Sequence, residues 1–296
     1  MYKKITLNLL ALGLLLFSCS SNDKDILQPM ETGVLTFDAG PDHGNKMINV
    51  HYYVPEGVRS NMPFQVIMHG MGRNADGYLA SWSQKAREYS LITIAPEFKS
   101  ELFSSAEYNE GNYRTSQGTV NPPERTTFYL IDRIFEFVKE ELDLDNSSYN
   151  IYGHSAGSQF VHRMVLLYES PYRHIAVAAN AGWYTFPDEL VHFPYGIRGL
   201  FEDNDAIRAN YYEEEMVVLL GTADTLRTSN LRQTYEADQQ GRNRFERGIS
   251  FFEYNKDRAA SSSQLFNWSL HYVEDAGHSN SLMAPPAADI LYGNQR

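Results

Sequence analysis

Three short stretches of this 296-residue chain combine side chains able to carry out acyl transfer. The first is Tyr149-Asn150-Ile151-Tyr152-Gly153-His154-Ser155-Ala156-Gly157, a strand pattern that runs into G-x-S-x-G and then into a helical segment. That order predicts a sharp strand-to-helix turn in which two glycines remove side chains that would clash. The hydroxyl of Ser155 is thereby lifted above the sheet at the positive end of the following helix. A serine hydroxyl is a poor nucleophile until a base takes its proton. The second stretch, Met216 to Asp224, is an apolar strand ending in Gly221-Thr222-Ala223-Asp224, 69 residues after Ser155. The third, Val273-Glu274-Asp275-Ala276-Gly277-His278, ends 54 residues after Asp224. Ser155 then reads as nucleophile, His278 as base and Asp224 as the acid that holds the imidazole in one tautomer. The developing oxyanion needs N–H donors. The Ala156 N–H, just after the nucleophile, is one. The Met71 N–H in His69-Gly70-Met71-Gly72 is the other, with His69 bracing that loop.

These residues need a scaffold that stops several strands at one place. Val34–Phe37 and Asn49–Val54 read as short strands joined by a turn, an antiparallel lead-in. Phe64–Met68 and Leu91–Ala95 are apolar runs, the pattern of strands buried on both faces, Ile175–Ala179 and Met216–Leu220 read as further buried strands, and Tyr149–Tyr152 and Asn267–Val273 as a short strand and the last strand. Asp76–Tyr89, Thr127–Leu142, Gly157–Tyr168 and Ala287–Leu291 read as helices between and after them. In Thr127–Leu142 the residues Ile131, Ile134, Phe135, Val138 and Leu142 recur at helical spacing. The alternation predicts an α/β fold with a mostly parallel central sheet and helices on both faces. Ligands then bind beyond the carboxyl ends of the strands.

On the elbow, the two strand-end segments and His69-Gly70-Met71-Gly72-Arg73-Asn74-Ala75, the sequence resembles the α/β-hydrolase superfamily. Within it, the sequence resembles the secreted esterases related to polyhydroxybutyrate depolymerases and to feruloyl and acetyl xylan esterases. The resemblance implies a serine carboxylic ester hydrolase that forms an acyl-enzyme, with no cofactor or metal, acting on a small-molecule or polysaccharide ester. The expected reaction is de-esterification of a complex carbohydrate. A serine peptidase with the same triad, or a non-catalytic glycan-binding lipoprotein, are the alternatives. Trp183 and Tyr184 follow the strand beside the elbow strand and are candidates for the pocket wall, with buried core aromatics as the competing reading. The aromatic-rich connection Phe186–Tyr212 could cap the site. Arg227, Arg232, Arg242, Arg244 and Arg247 could recognise a carboxylate, although a solvated helix face is the plainer reading.

The rest of the chain sets the context. With 37 acidic against 25 basic side chains the formal charge is −12, a field that opposes nucleic-acid binding. Lys3 and Lys4 precede the 13-residue, mostly apolar run Ile5–Phe17, and Ser18-Cys19 follows. This is the layout of a signal peptide, too short to span a bilayer, with a lipobox-like end. Residues 1–18 are therefore expected to be removed and Cys19, the sole cysteine, to be lipidated. Loss of Lys3 and Lys4 takes the charge to −14. Residues 19–30 form a polar tether resembling those of Bacteroides-group lipoproteins, which implies an outer-membrane lipoprotein facing the periplasm or the cell surface. Residues 31–296 form the catalytic domain.

Overall fold

The computed structural model describes residues 29–57, 59–201 and 210–293. The expected signal peptide, Cys19 and most of the tether lie outside the described residues. Eight strands form one sheet: β1 (Glu31–Asp38), β2 (Met47–Val54), β3 (Phe64–Met68), β4 (Ile92–Glu97), β5 (Tyr149–His154), β6 (Arg173–Ala179), β7 (Glu215–Gly221) and β8 (Trp268–Val273). Their spatial order is β1-β2-β4-β3-β5-β6-β7-β8. The pairs β1–β2 and β2–β4 are antiparallel and all the others parallel, which is the expected lead-in followed by a parallel sheet.

The continuous apolar runs are explained by which face each residue meets. Successive strand residues point to opposite faces. Val66, Met68, Ile151, Ala176, Ala178, Met216, Val218 and Leu220 therefore join one core, while Ile67, Tyr152, Val177, Ala179, Val217 and Leu219 join the other. The first core is covered by α3 (Thr127–Glu141), α4 (Ala156–Leu167) and α6 (Arg244–Ser261), through Ile131, Phe160 and Phe251 among others. The second is covered by α1 (Ala75–Glu88) and α7 (Asn280–Tyr292), through Trp82, Met283 and Leu291. Each buried Val, Leu or Ile stabilises such a layer by about 1.5–3 kcal/mol relative to exposure. A strand with two covered faces therefore carries few polar side chains, and those of Gln65 and Asn150 are both hydrogen-bonded with Tyr292 Oη.

Two short helices, α2 (Ser105–Asn109) and α5 (Tyr235–Gln240), and the long α6 go beyond the expected elements. The start of α7 was also hidden, because Pro285 and Pro286 lie inside it and read as breakers. Register then fixes the site. Met68 pairs Gly153, His154 pairs Ala179 and Gly221 pairs Val273, so five parallel strands end along one rim. The loops after β3, β5, β6, β7 and β8 all leave from it.

Candidate active site

At that rim the elbow takes the geometry its sequence predicts. Ser155 has φ 60° and ψ −114°, a strained conformation for a residue with a Cβ, and it separates β5 from α4. Its N–H donates to the Ala179 carbonyl (3.0 Å) and its carbonyl accepts from the Gln159 N–H (3.1 Å), so both neighbours hold the turn in place. The flanking glycines permit it by close approach. A Cβ on Gly153 would lie 2.2 Å from the Gly157 carbonyl oxygen, and one on Gly157 would lie 2.2 Å from that of Met68.

The structure brings Ser155, His278 and Asp224 together. His278 Nδ1 lies 2.7 Å from Asp224 Oδ2, and His278 Nε2 lies 3.0 Å from Ser155 Oγ. A carboxylate oxygen can only accept, so Nδ1 carries the proton and donates it. Nε2 then presents its lone pair to the Ser155 hydroxyl. Asp224 is buried, and its second oxygen lies 3.5 Å from Arg244 Nη1. The acid and base loops are stitched to each other: the Thr222 N–H donates to the Val273 carbonyl (3.1 Å) and the Ala223 N–H to that of Ala276 (3.0 Å). Asn180 Oδ1 accepts from the Gly221 N–H (2.9 Å), which ties in the loop after β6.

Ser155, Ala156 and Met71 line one cavity of about 390 Å³, so both oxyanion-donor candidates border the nucleophile. His69 behaves as a brace. Its Nε2 accepts from the Phe98 N–H and its Nδ1 bonds the Gly70 carbonyl, both at 3.0 Å, while its ring stacks on Tyr108. Burial pushes its pKa down to about 3, so it stays neutral. Tyr108, at the end of α2, donates to the His69 carbonyl (2.7 Å). It therefore supports the loop from within the core and offers no ring to a substrate. His154, the variable elbow position, is buried against Tyr78 Oη (3.0 Å) with its ring centroid 4.7 Å from that of His278. Burial, reinforced by the nearby His278 and Arg244, depresses its pKa well below the usual imidazole range. A neutral neighbour of this kind does not oppose charge on the His278 ring.

The two pocket aromatics part company. Trp183 lines the cavity, whereas Tyr184 is fully buried, stacks on Phe251 (4.4 Å) and forms no part of the cavity wall. The Tyr184 N–H donates to Gln240 Oε1 and its carbonyl accepts from Gln240 Nε2, both at 2.8 Å, so Gln240 holds the backbone here. The connection after β6 is not a simple cap either. Tyr211 and Tyr212 pack with Trp268 in the core, Tyr195 packs on Trp183, and residues 202–209 lie outside the described residues.

The arginine segment is neither a solvated face nor one basic patch. Arg247 is fully buried and bonds the Gly182 and Gly241 carbonyls and Asp238. Arg227 grips Asp238 through both terminal nitrogens at 3.0 Å. Arg242 is exposed away from the cavity. Arg244 pairs with Asp224, and Arg232 lines the cavity. Arg244 as partner of the acid and the wall formed by Asn109, Glu110 and Gln159 were not foreseen. The signal for α2, Ser104-Ser105-Ala106-Glu107, was present, since Ser104 and Glu107 form a capping box there.

Comparison with known proteins finds hydrolases of the same fold. Poly(aspartic acid) hydrolase-1 from Sphingomonas sp. KT-1 is 36% identical, with a TM-score of 0.79 over 90% of this chain and 100% of its own. A poly(3-hydroxybutyrate) depolymerase from Bordetella parapertussis is 28% identical, with a TM-score of 0.83 over 89% and 90% of the two chains. Carboxyl esterase 2 from the fungus Tuber melanosporum, at 14% identity and a TM-score of 0.54 over 90% and 86%, shares the fold. No protein-family model and no curated protein sequence matches the chain. At 36% identity over an alignment that covers 90% of this chain and all of that hydrolase, this chain belongs to the α/β-hydrolase family of poly(aspartic acid) hydrolase-1.

Proposed function

We propose that the protein is a serine hydrolase of carboxylic esters that works through Ser155, His278 and Asp224. The observation that carries this reading is the hydrogen-bonded relay from Asp224 Oδ2 through His278 to Ser155 Oγ at a strained elbow. Ser155 Oγ attacks the ester carbonyl carbon while its proton passes to His278 Nε2. The N–H groups of Ala156 and Met71 receive the oxyanion, assisted by the N-terminus of α4. The imidazolium, stabilised by Asp224, gives its proton to the departing alcohol and leaves an acyl-Ser155. Water, deprotonated by His278, then attacks the acyl carbon and Ser155 recovers its proton.

Esters on a complex carbohydrate are the substrates this reading favours. The amide and hydroxyl side chains of Ser105, Asn109, Gln159, Ser229 and Asn230 around the cavity suit a hydroxyl-rich partner. Acetylated, feruloylated and methyl-esterified polysaccharides are the panel to assay for released acid or methanol. Wild-type release that vanishes in Ser155→Ala is the expected outcome. Release that survives in Ser155→Ala contradicts the nucleophile. Amide cleavage by the same groups is the second reading, favoured by the 36% identity to a hydrolase named for an amide-linked polymer. Faster turnover of a peptide anilide than of its ester analogue would select it. The N-terminal sequence adds an outer-membrane lipoprotein. Cys19→Ala should release the protein from the membrane fraction, and an unchanged distribution contradicts lipidation there.

A further inference from the structure

We propose that Tyr78 and His154 are positioning residues for the hydrolysis, joined by one buried hydrogen bond that ties the oxyanion loop after β3 to the elbow and to the ring of His278. The role rests on the serine-hydrolase reading of the same site and adds to it two residues that touch neither the substrate nor the reacting atoms.

Tyr78 lies in the first turn of α1, just after the loop that carries the Met71 N–H. Both Tyr78 and His154 are buried. The Tyr78 hydroxyl lies 3.0 Å from His154 Nδ1, and among the described residues this is the one hydrogen bond of the His154 ring, whose buried Nε2 has no partner. The same hydroxyl stands against the oxyanion loop. A Cβ on Gly70 would lie 2.4 Å from Tyr78 Oη and 3.7 Å from Ser155 Cβ. Burial raises the pKa of the phenol, and the Gly70 N–H, directed at its oxygen, works against that rise. An oxygen that receives this N–H turns its own proton toward Nδ1, so His154 is a neutral ring with its proton on Nε2.

With Nε2 unpartnered, only the Tyr78 bond and packing set the tilt of the His154 ring, and that tilt reaches the base. The His278 ring is partly exposed, and the His154 ring lies against it with 4.7 Å between centroids and 35° between planes. Asp224 holds His278 at Nδ1 alone. One hydrogen bond lets a ring rock about it, and a flat neighbour on one face limits the rocking. During acyl transfer His278 Nε2 must meet Ser155 Oγ while the loop after β3 presents its donor to the oxyanion, and a misplacement of about 1 Å can cost about 10²-fold. The path from Gly70 through Tyr78 and His154 to His278 makes the two alignments one.

A double-mutant cycle tests this. Tyr78→Phe removes one oxygen and keeps the ring, and His154→Leu removes the acceptor and the flat ring at similar volume. With p-nitrophenyl acetate each should lower kcat by about tenfold and leave KM within about twofold, as expected when the alignment given by one hydrogen bond is lost in the transition state alone. In the double variant the loss should stay near about tenfold, because the hydroxyl acts through His154. Tyr149→Phe removes a buried hydroxyl bonded to Asp132 at the opposite end of β5 from Ser155. It should lower the urea midpoint and leave kcat unchanged, which separates alignment from general stability. A Tyr78→Phe variant with wild-type kcat, or a double variant whose loss is the product of the two single losses, overturns the coupling and leaves the hydrolase reading intact. Tyr78→Phe decides the point by itself if His154→Leu does not fold. A wild-type protein that neither turns over an ester nor reacts with a fluorophosphonate overturns the hydrolase reading and this role with it.

Discussion

Asp224 is the residue whose surroundings say most about its role. It is buried, its Oδ2 accepts from His278 and its Oδ1 faces Arg244, so an amide at this position can keep the volume and lose the charge. Asp224→Asn should favour the wrong imidazole tautomer and lower kcat by about 10³–10⁴ while leaving KM within a few-fold. Steady-state kinetics on p-nitrophenyl acetate read this directly, and near-normal turnover would move the acid elsewhere. Ser155, Asp224 and His278 could be read from the sequence as candidates because each lies in the turn or loop just after a strand, close to a glycine. Arg244 could not, because only the fold places a residue 20 positions beyond Asp224 against its second oxygen. Tyr184 misled for a related reason. It adjoins Trp183 in sequence, but its side chain packs in the core on Phe251 while that of Trp183 lines the cavity.

Among the elements, β3, β4, β6 and β7 were readable because burial on both faces leaves few polar positions to blur them, whereas β8 is only half-buried and alternates. Helix α6 was not readable, and its buried stripe explains why. Arg244, Arg247, Phe251, Asn255 and Ala259 recur at helical spacing, but two arginines and an asparagine in that stripe erase its hydrophobic period. The arginines are tolerated because Asp224, Asp238 and backbone carbonyls receive them. The elbow depends on contact between elements as well as on its own turn. A Cβ on Gly157 would enter the carbonyl at the end of β3, 2.2 Å from the Met68 oxygen. Gly157→Ala should therefore destabilise the fold by about 3 kcal/mol, the upper end for an overpacked site, and disturb the serine with it. Chemical denaturation measures the first and ester turnover the second. A stable, fully active Gly157→Ala would show that β3 and α4 are not locked together here.

For the whole molecule, the buried histidines set a response to acid. His69, His154 and His162 are all held neutral, principally by burial. The Phe98 N–H donates into the Nε2 lone pair of His69, and the Thr185 N–H donates into that of His162, both at 3.0 Å; protonation would break these bonds. The unfolded chain binds protons at these sites from about pH 6.5 downward while the folded chain does not. Stability must therefore fall as pH falls through that value, with a slope that approaches about 4 kcal/mol per pH unit if all three act. Urea midpoints between pH 8 and pH 5 test this. Midpoints that are flat or rise toward pH 5 would show that the three rings accept protons in place.

On the proposed route Ser155 Oγ carries the acyl group of the covalent intermediate, and covalent capture tests this most directly. The protein is treated with a fluorophosphonate, digested, and the adduct located by mass spectrometry. A single phosphonylated residue at Ser155, formed in step with the loss of ester turnover and absent from Ser155→Ala, is the predicted result. An adduct on another residue, or turnover that persists after Ser155 is fully modified, would contradict it.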